Sequence, residues 1–410
     1  MVAAVVIVVP RGGEVSPLTR LGGLSLLKRA VLTAQRAGIT CCYVYADQDR
    51  EALQHELQHD ARITSQIIWL GAPLRDIAKR EPDGAALHLV FAVDAIFRHP
   101  LVQELSRQAV PGKTVGVTDA AGVPALALTP GACVPEILTE LTQGRPLHET
   151  TALAGGNKVH VRGQFIRRFT ARSALAGIEH DLLLSLENPR DGFVDTHINR
   201  RLSRPLTRWF LRTPITPNQI TVLAGLMSIL GALCFLPGGY YGPLCGALLF
   251  QFSAVLDCCD GEVARVKFAE SPLGDWLDIV CDTVGAVVVF IGLGVAVWQD
   301  GTTAHALGLA GVLALGGTLA FPLVTLAENT EEAGKRRGGW EDVVIKKLLL
   351  SLTNRDFSIL IVGCAIIGKL SWFLWGAAVG AQVFWMFLAW LLFRAGRFGR
   401  VRNIWERKET

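Results

Sequence analysis

The chain has 410 residues, of which half are hydrophobic and 19% are charged, and its formal net charge is +4 at pH 7. Single domains mostly run to about 100–200 residues, so this length predicts two domains. The small positive charge argues against nucleic acid as a partner and favours anionic lipid headgroups or phosphorylated substrates. The nine cysteines lack the paired C-x2-C spacing of a zinc site and do not form the pattern of a disulfide framework.

The first 185 residues alternate strand-like and helix-like segments. Short apolar runs at Val2–Val9, Thr40–Tyr45 and Leu87–Val93 are typical of buried strands, and Leu21–Ala37 has the pattern of a helix. Strands that alternate with helices are typical of a parallel sheet covered on both faces. We therefore predict a cytoplasmic α/β domain with a parallel sheet over residues 1–185.

The segment from Leu21 to Ile39 resembles the start of nucleotidyltransferase domains, such as those of cytidylyltransferases and molybdenum-cofactor guanylyltransferases. Asp94 directly follows a strand-like run, where those enzymes carry a metal-binding aspartate. Their glycine-rich loop wraps a triphosphate with backbone N–H groups, and the corresponding residues here are Arg11, Gly12 and Gly13. The resemblance therefore implies a phosphate site at Arg11, Gly12 and Gly13 and a metal-binding position at Asp94.

Two departures from that family predict a degenerate domain. The loop is shortened, and Pro10 removes one backbone N–H donor. The sequence Arg-Arg-Phe-Thr at residues 167–170 stands where a second aspartate is expected, and cations in place of a metal ligand disfavour two-metal chemistry. We expect an inactive domain with a vestigial site. Residual synthesis of a CDP-alcohol, nucleotide sensing and structural bracing stay open as alternatives.

A basic and apolar linker, residues 186–215, joins the two halves of the chain. Its arginines and the apolar Leu202, Leu206, Trp209 and Phe210 fit an amphipathic helix that lies on the bilayer surface. A plain linker helix is the alternative.

Six apolar runs of about 20 residues follow the linker, and each has a length that fits a transmembrane helix. The runs lie near residues 218–238, 242–260, 276–298, 303–327, 357–376 and 377–395. Thr216 and Pro217 have the chemistry of a helix start and open the first run. The prediction is an all-α membrane domain of six helices over residues 216–410.

The distribution of lysine and arginine predicts the orientation in the membrane. Basic residues follow the second, fourth and sixth runs, whereas the other connections carry only Lys369. The basic residues are Arg265, Lys267, Lys335, Arg336, Arg337, Lys346, Lys347, Arg394, Arg397, Arg400, Arg402, Arg407 and Lys408. Such residues favour the cytoplasmic side, so we expect an inner-membrane protein with both termini there. The N-terminus has no basic flank or cleavage site, and no signal peptide is predicted.

Four aspartates, Asp257, Asp260, Asp278 and Asp282, lie in the most apolar part of the chain. An ionised carboxylate at mid-membrane depth costs about 2.5–3.5 kcal/mol on insertion scales, so such residues normally mark a functional site. Spacings of three and four residues place each pair on one face of a helix. Two such helices can hold Mg2+ or Mn2+, which prefer hard oxygen ligands. Two helices with buried, mutually satisfied polar residues are the alternative.

The same region contains the pattern D-x2-D-G-x2-A-R-x8-G-x3-D-x3-D, which begins at Asp257 and ends at Asp282. The pattern resembles the signature of the CDP-alcohol phosphotransferase family at every fixed position. The resemblance implies a six-helix membrane enzyme that cleaves the pyrophosphate of a CDP-linked donor and releases CMP. It also implies that the phosphoryl group is joined to an alcohol. The distribution of lysine and arginine predicts that the aspartates and the active site lie on the cytoplasmic side.

The resemblance further implies a role for each residue of the pattern. Asp257, Asp260 and Asp278 correspond to metal ligands, and Asp282 corresponds to the base that takes the proton from the acceptor hydroxyl. The residues implied in CDP binding are Gly261, Ala264, Arg265, Gly274 and Asn218, the last with helix capping or packing as an alternative. A metal ion can clamp attacking and leaving oxygens, and an arginine can hold phosphate oxygens through charge-assisted hydrogen bonds.

The family uses lipid donors such as CDP-diacylglycerol or soluble donors such as CDP-inositol, and its members are usually homodimers. In archaea and some bacteria, a fused nucleotidyltransferase domain makes CDP-inositol, and the enzyme joins it to inositol phosphate. The expected acceptor is therefore an alcohol such as inositol phosphate, and Arg355 is a candidate for binding its phosphate. A boundary arginine in contact with lipid headgroups is the alternative.

Two other functional classes fit a membrane protein with buried acids. A non-catalytic scaffold or nucleotide sensor is one, and the complete set of four aspartates argues against it. A transporter is the other, but all four acids cluster towards one membrane face and no inverted repeat is visible.

Overall fold

The computed structural model describes residues 2–9, 15–71, 86–108, 112–119, 122–143, 145–154, 157–161, 164–169, 171–186, 194–332, 344–345 and 357–394. The chain divides into two compact units, Met1–Leu186 and Glu187–Thr410. The first unit combines strands and helices, and the described part of the second unit is helical.

Strands in the first unit form one large sheet and two small ones. The described strands are β1 (Val2–Val9), β2 (Arg20–Leu21), β3 (Leu24–Ser25), β4 (Cys41–Ala46), β5 (Gln66–Leu70), β6 (Leu87–Ala92), β7 (Ala95–Phe97), β8 (Val115–Thr118), β9 (Pro124–Pro130), β10 (Asn157–Val159) and β11 (Ile166–Arg168). The large sheet has seven strands in the order β10-β8-β9-β6-β1-β4-β5. The small sheets pair β2 with β3 and β7 with β11.

β1 lies inside the parallel part of the large sheet. It pairs in parallel with β4 on one side and with β6 on the other, and β5 extends the arrangement beyond β4. The strand is almost entirely apolar, as expected where both faces of a sheet are covered. Val5, Val6 and Ile7 are fully buried. The predicted strand over Val2–Val9 is confirmed with the same bounds.

The large sheet is mixed, whereas the sequence predicts a parallel one. β9 runs antiparallel to both β6 and β8. Only five positions separate β8 from β9. The Asp119 N–H donates to the Val123 carbonyl oxygen at 2.9 Å, and Gly122 has a φ of 77°. Strands joined by so short a turn pair antiparallel, because a parallel pair needs a crossover of a dozen or more residues.

The helices of the first unit flank these strands in sequence. They are α1 (Leu26–Arg36), α2 (Arg50–Gln58), α3 (His99–Gln108), α4 (Val134–Thr142), α5 (Thr151–Ala154) and α6 (Leu175–Leu184). α1 begins later than the sequence pattern predicts. Gly22 and Gly23, with φ of 57° and 82°, turn the chain between β2 and β3. The Ser25 hydroxyl then caps α1 by accepting from the Lys28 N–H.

The helices of the second unit are α7 (Arg200–Leu211), α8 (Pro217–Phe235), α9 (Tyr241–Lys267), α10 (Pro272–Gln299), α11 (Ala306–Glu332), α12 (Phe357–Ile366) and α13 (Leu370–Arg394). A π-helical turn, Asp195–Asn199, precedes α7. Among the described residues, α8, α9, α10, α11 and α13 are long and apolar enough to cross a membrane.

The last two apolar runs differ from their predicted bounds. The sequence predicts spans over residues 357–376 and 377–395, but α12 ends at Ile366 and α13 begins at Leu370. Gly368 lies between them with a φ of 64°, and a glycine in this left-handed conformation commonly follows the end of a helix. The described part of α12 has 10 residues, fewer than the about 20 that cross a bilayer.

α8 and α9 form a closely packed antiparallel pair. α8 begins with a capping box, in which Thr216 and Gln219 bond reciprocally, and Pro217 occupies its first turn. Where the two helices cross, a Cβ added to Gly246 would lie 2.7 Å from the carbonyl oxygen of Gly231. Small residues at this crossing therefore allow the two backbones to approach closely.

α7 has one buried face and one exposed apolar face. Leu202 and Trp209 are 52% and 57% exposed, as an interfacial helix requires. Phe210 differs from the prediction because it is buried, together with Thr207 and Leu211. These buried residues recur with a helical period, so part of the apolar surface assigned to the bilayer instead packs inside the unit.

Candidate metal centre

Three of the four predicted aspartates meet in the second unit. Asp257 of α9 and Asp278 and Asp282 of α10 each offer a carboxylate oxygen, and these oxygens all lie within 4.8 Å of one another. The spacing of four residues puts the last two on one face of α10, one turn apart. Asp257 faces them from the neighbouring helix, and all three side chains are half-buried. Three hard oxygen donors at such separations fit a Mg2+ or Mn2+ ion.

The fourth aspartate, Asp260, has a different environment. It is 7% exposed, and its Oδ2 accepts a hydrogen bond of 2.5 Å from the Thr221 hydroxyl of α8. The described cluster therefore consists of Asp257, Asp278 and Asp282, whereas the predicted ligand set is Asp257, Asp260 and Asp278. Asp260 lies close in sequence, one helical turn after Asp257, and is held towards α8.

Gly261 and Arg265 lie against each other on α9. A Cβ added to Gly261 would come within 3.2 Å of Nη1 and 3.4 Å of Nη2 of Arg265. The absence of a side chain at this position thus makes room for the guanidinium group. Ala264, the other small residue of the pattern, is half-buried on the same helix.

Gly274 and Asn218 are neighbours although 56 positions separate them in the sequence. A Cβ added to Gly274 would lie 3.0 Å from Oδ1 of Asn218, which stands at the start of α8. The Gly274 N–H donates to the Ser271 hydroxyl at 3.0 Å, so this glycine lies in the capped first turn of α10. The structure therefore brings two residues of the expected CDP site together at the N-terminal ends of two helices, where anionic groups bind favourably.

Glu262, which directly follows the glycine of the pattern, is not among the residues predicted from the sequence. Glu262 is 1% exposed and accepts hydrogen bonds from three residues of the buried face of α7. The donors are Arg200 Nη1 at 3.1 Å, the Ser203 hydroxyl at 3.2 Å and the Thr207 hydroxyl at 2.5 Å. Two signals point to these residues: a fifth acid inside an apolar run, and polar residues of α7 at spacings of three and four.

Lys267, at the end of α9, was assigned only to the basic membrane edge. Its Nζ donates to the carbonyl oxygens of Phe210, Thr213 and Ile215 at 3.4, 3.2 and 3.3 Å. These carbonyls lie at the end of α7 and in the connection to α8. Lys267 thus satisfies the polar groups that a helix leaves open at its C-terminus.

Asp94 is the member of the predicted vestigial site that lies among the described residues of the first unit. Asp94 follows β6, and its Oδ2 pairs with Arg168 Nη2 at 3.1 Å. Arg168 lies on β11, which pairs antiparallel with β7 directly after Asp94. Its Nη1 also lies 3.4 Å from Nδ1 of His148. A cation from the protein therefore stands beside the one carboxylate that was expected to bind metal. Arg11, Gly12, Gly13 and the acceptor candidate Arg355 lie outside the described residues.

Comparison with known proteins identifies the region that holds the aspartates. Residues 214–393 match the family model described as CDP-alcohol phosphatidyltransferase. This region is a CDP-alcohol phosphatidyltransferase domain. The domain covers α8 to α12 and nearly all of α13, so all four aspartates lie within it.

Two relatives match parts of the chain. A protein of Aquifex aeolicus described as "Bifunctional IPC transferase and DIPP synthase" is 39% identical over 92 residues, which are 22% of this chain and 20% of the relative. A phosphatidylinositol phosphate synthase of Mycobacterium marinum is 36% identical over 93 residues, which are 23% of this chain and 39% of the relative. The chain thus spans a fifth to two fifths of the length of these relatives.

A solved structure is similar to a little under half of the chain. HddC from Yersinia pseudotuberculosis is 10% identical, with a TM-score of 0.34, and the comparison covers 44% of this chain and 99% of that protein.

Proposed function

We propose that the protein is a metal-dependent CDP-alcohol phosphotransferase. It would transfer a substituted phosphoryl group from a CDP-linked donor to an alcohol and release CMP. The observation that carries this proposal is the meeting of Asp257, Asp278 and Asp282 within 4.8 Å, inside a CDP-alcohol phosphatidyltransferase domain. Three carboxylates so close to one another repel, and a divalent cation bound among them would offset that repulsion.

Each residue of the pattern has a proposed task. Asp257, Asp260 and Asp278 would hold the cation, with Asp260 kept in place by the hydrogen bond from Thr221. When bound, Mg2+ or Mn2+ would neutralise the phosphate oxygens on both sides of the bond that breaks. Asp282 accepts the proton of the acceptor hydroxyl as the new oxygen–phosphorus bond forms and CMP leaves.

The CDP portion is proposed to lie across the starts of α8 and α10 and the end of α9. Arg265 holds phosphate oxygens with its guanidinium group. Gly261 gives that group room, and Gly274 keeps the space beside Asn218 open. Asn218 is proposed to bind the nucleotide, and Ala264 provides a surface without a large side chain.

The donor and acceptor belong to the same proposal. We assign the donor to CDP-diacylglycerol or CDP-inositol, and the acceptor to an alcohol such as inositol phosphate. One of the two relatives is described as a phosphatidylinositol phosphate synthase, and the other as a bifunctional IPC transferase and DIPP synthase. Arg355 is the proposed contact for a phosphate on the acceptor.

The two donors can be distinguished by measuring CMP release from the purified full chain. The assay contains Mg2+, inositol 1-phosphate and either CDP-diacylglycerol or CDP-inositol. CMP from the lipid donor alone identifies a phospholipid synthase, and CMP from CDP-inositol identifies a phosphodiester synthase. Absence of CMP with both donors contradicts the proposed substrates.

The placement in the membrane is also proposed. The five described spans, with a sixth that includes α12, would cross the inner membrane and leave both termini and the aspartates on the cytoplasmic side. The clustering of lysine and arginine after the second, fourth and sixth apolar runs supports this orientation. The exposed Leu202 and Trp209 support a position of α7 at the bilayer surface. A homodimer is the proposed assembly.

The first unit, residues 1–185 in our proposal, is a nucleotidyltransferase-like domain without catalytic activity. The ion pair of Arg168 with Asp94 supports this, because the guanidinium takes up charge that a metal ion would otherwise neutralise. Incubation of the full chain with CTP, inositol 1-phosphate and Mg2+ tests the assignment. Release of pyrophosphate would instead identify a bifunctional enzyme that makes its own CDP-alcohol.

A further inference from the structure

Glu262 is a buried carboxylate that the proposed chemistry does not use. Its side chain is 1% exposed, and that of its partner Arg200 is 6% exposed. Two hydroxyl groups, of Ser203 and Thr207, donate to the same carboxylate. A buried ion pair is stable only where its remaining polar atoms are also satisfied. The three donors from one helix meet that requirement.

The three donors occupy a single face of α7. Their positions, 200, 203 and 207, are spaced by three and four residues, so their side chains stack along one side of the helix. α7 therefore lies along α9 with its orientation fixed by one carboxylate that receives all three groups.

Two further contacts hold α7 at its ends. Lys267 of α9 binds the carbonyl oxygens of Phe210, Thr213 and Ile215. At the other end, Gln251 of α9 donates to Oδ1 of Asn199 at 2.6 Å. Gln251 also accepts from the Ser358 hydroxyl of α12 at 2.8 Å. Gln251, Glu262 and Lys267 thus connect α9 to α7 and to the residues on either side of it. These three residues span more than four turns of α9.

Glu262 faces away from the aspartates of the same helix. Successive residues of an α-helix are about 100° apart, so Glu262 is about 140° around α9 from Asp257 and about 200° from Asp260. The α9 carboxylates of the metal centre and the carboxylate held by α7 are therefore on different sides of one helix. Any rotation of α9 about its axis moves both.

We propose that Glu262, Arg200, Ser203 and Thr207 are positioning residues, which fix the rotation of α9 so that Asp257 meets Asp278 and Asp282. This inference rests on the proposed function. A rotation of about 20° moves an atom about 6 Å from the helix axis by about 2 Å. Sites of this kind require their groups to be held within about 0.5 Å and 10–20°. Loss of the hydrogen bonds between Glu262 and α7 is therefore expected to displace Asp257 from the metal centre.

Mn2+ binding by the purified full chain tests the inference without reference to turnover. Free Mn2+ is measured by electron paramagnetic resonance at a temperature well below the Tm of each variant. Glu262→Gln removes the negative charge of the group that accepts from Arg200, Ser203 and Thr207, and we expect the Kd for Mn2+ to rise about tenfold, as for other residues that support metal ligands.

The double variant Glu262→Gln with Arg200→Met is the matched control. It removes both charges, and the glutamine oxygen still accepts from Ser203 and Thr207. Replacing a buried ion pair by groups of similar volume is often neutral, so we expect the Kd for Mn2+ to return to within about threefold of the wild-type value. A Kd in Glu262→Gln equal to that of the wild type would overturn the inference.

A milder pair of variants keeps the test valid if Glu262→Gln does not fold. Thr207→Val removes one donor at nearly constant volume, whereas Thr207→Ser keeps the hydroxyl. We expect Thr207→Val to raise the Kd for Mn2+ about threefold and Thr207→Ser to leave it unchanged. Equal affinities in the two variants would overturn the inference.

Wild-type CMP release is measured in parallel. Its absence contradicts the proposed function, while the Mn2+ titrations still decide the role of α7.

Discussion

The two units each contain a carboxylate site that the sequence relates to metal chemistry, but the surroundings of the carboxylates differ. In the second unit, Asp257, Asp278 and Asp282 come together from two helices. In the first unit, Asp94 lies beside the guanidinium of Arg168. An aspartate after a strand is therefore not sufficient for a metal site. The charge of the groups around it decides whether a divalent cation would be attracted.

The two sites also differ in how they are supported. Both aspartate-bearing helices of the second unit carry small residues next to the acids, and Gly261 and Gly274 leave space beside Arg265 and Asn218. Asp94 instead contacts the end of β11: Arg168 pairs with its carboxylate, and the Phe169 N–H donates to its backbone carbonyl oxygen at 2.8 Å. The acids of the second unit are thus bordered by positions without side chains, whereas Asp94 is bordered by a strand.

The largest expected effect is the loss of a proposed metal ligand. Asp278→Asn removes one of the three clustered carboxylates, and we expect CMP release to become undetectable and Mn2+ binding to weaken. Asp94→Asn in the first unit is the matched control and should leave CMP release unchanged. Substantial turnover in Asp278→Asn, measured with the same donor and Mg2+, contradicts the metal-ligand assignment.

Loss of the proposed base has a different signature. Asp282→Asn should lower kcat by about 100- to 10,000-fold, the range contributed by general acid–base catalysis. The affinity for the CDP donor should be largely kept, because Asp282 acts on the acceptor hydroxyl. Equilibrium binding of the donor, measured beside turnover, separates this residue from the metal ligands. A large loss of donor binding would remove Asp282 from the role of base.

A side chain at Gly274 should impair donor binding. The added Cβ of Gly274→Ala would lie 3.0 Å from Oδ1 of Asn218. Overpacking of this kind costs about 1–3 kcal/mol, so the KM for the CDP donor should rise about tenfold. Gly317→Ala in α11 is the control, since a Cβ there meets nothing within 4 Å. Equal KM values in the two variants would exclude a steric role for Gly274.

The ion pair of the first unit should affect stability and not turnover. Arg168→Met leaves Asp94 partly buried without its cation, and the cost of such an unsatisfied group is about 1–3 kcal/mol. We expect faster hydrogen exchange in β7 and β11, with unchanged CMP release. Adding Asp94→Asn to this variant should recover part of the protection. A change in kcat on Arg168→Met would show that the first unit contributes to the reaction.

A smaller effect concerns Asp60, a carboxylate of the first unit whose side chain is 6% exposed. Hydrogen bonds from Arg62, aided by Lys28, hold the pKa of Asp60 well below its ordinary value despite the opposing effect of burial. A depressed pKa stabilises the folded state above the unfolded pKa of about 4. That stability is lost as the pH falls towards the folded pKa. Asp60→Asn should therefore lower Tm near pH 7, where the contribution of the carboxylate is complete, and flatten the decline of Tm below about pH 4.

Much of the architecture follows from local chemistry in the sequence. The uninterrupted apolar residues of Val2–Val9 predict the buried strand, and the chemistry of Thr216 and Pro217 predicts the start of α8. The four-residue spacing of Asp278 and Asp282 predicts that they share a face of α10. These features depend on a few adjacent residues, so a pattern read along the chain is sufficient to find them.

Features that depend on partners distant in sequence were missed. β9 also pairs antiparallel with β6, in a register that places Leu87 opposite Pro130, so this pairing joins residues far apart in the sequence. Asp260 forms its hydrogen bond with Thr221, 39 positions away, and Glu262 with Thr207, 55 positions away. No local pattern states which of several acids in a helix will meet a hydroxyl on another helix. The site could therefore be located from sequence. Which acids meet one another, and which accept a hydrogen bond from a neighbouring helix, could not be predicted.

The most direct test of the central claim is CMP release by the full chain, in the presence of inositol 1-phosphate, before and after removal of divalent metal. With CDP-diacylglycerol or CDP-inositol as donor, the account predicts CMP release that stops on chelation and returns when Mg2+ is added back. Asp278→Asn should show none under any of these conditions. CMP release that persists in the chelator, or in Asp278→Asn, would contradict the claim that Asp257, Asp260 and Asp278 hold the metal on which the reaction depends.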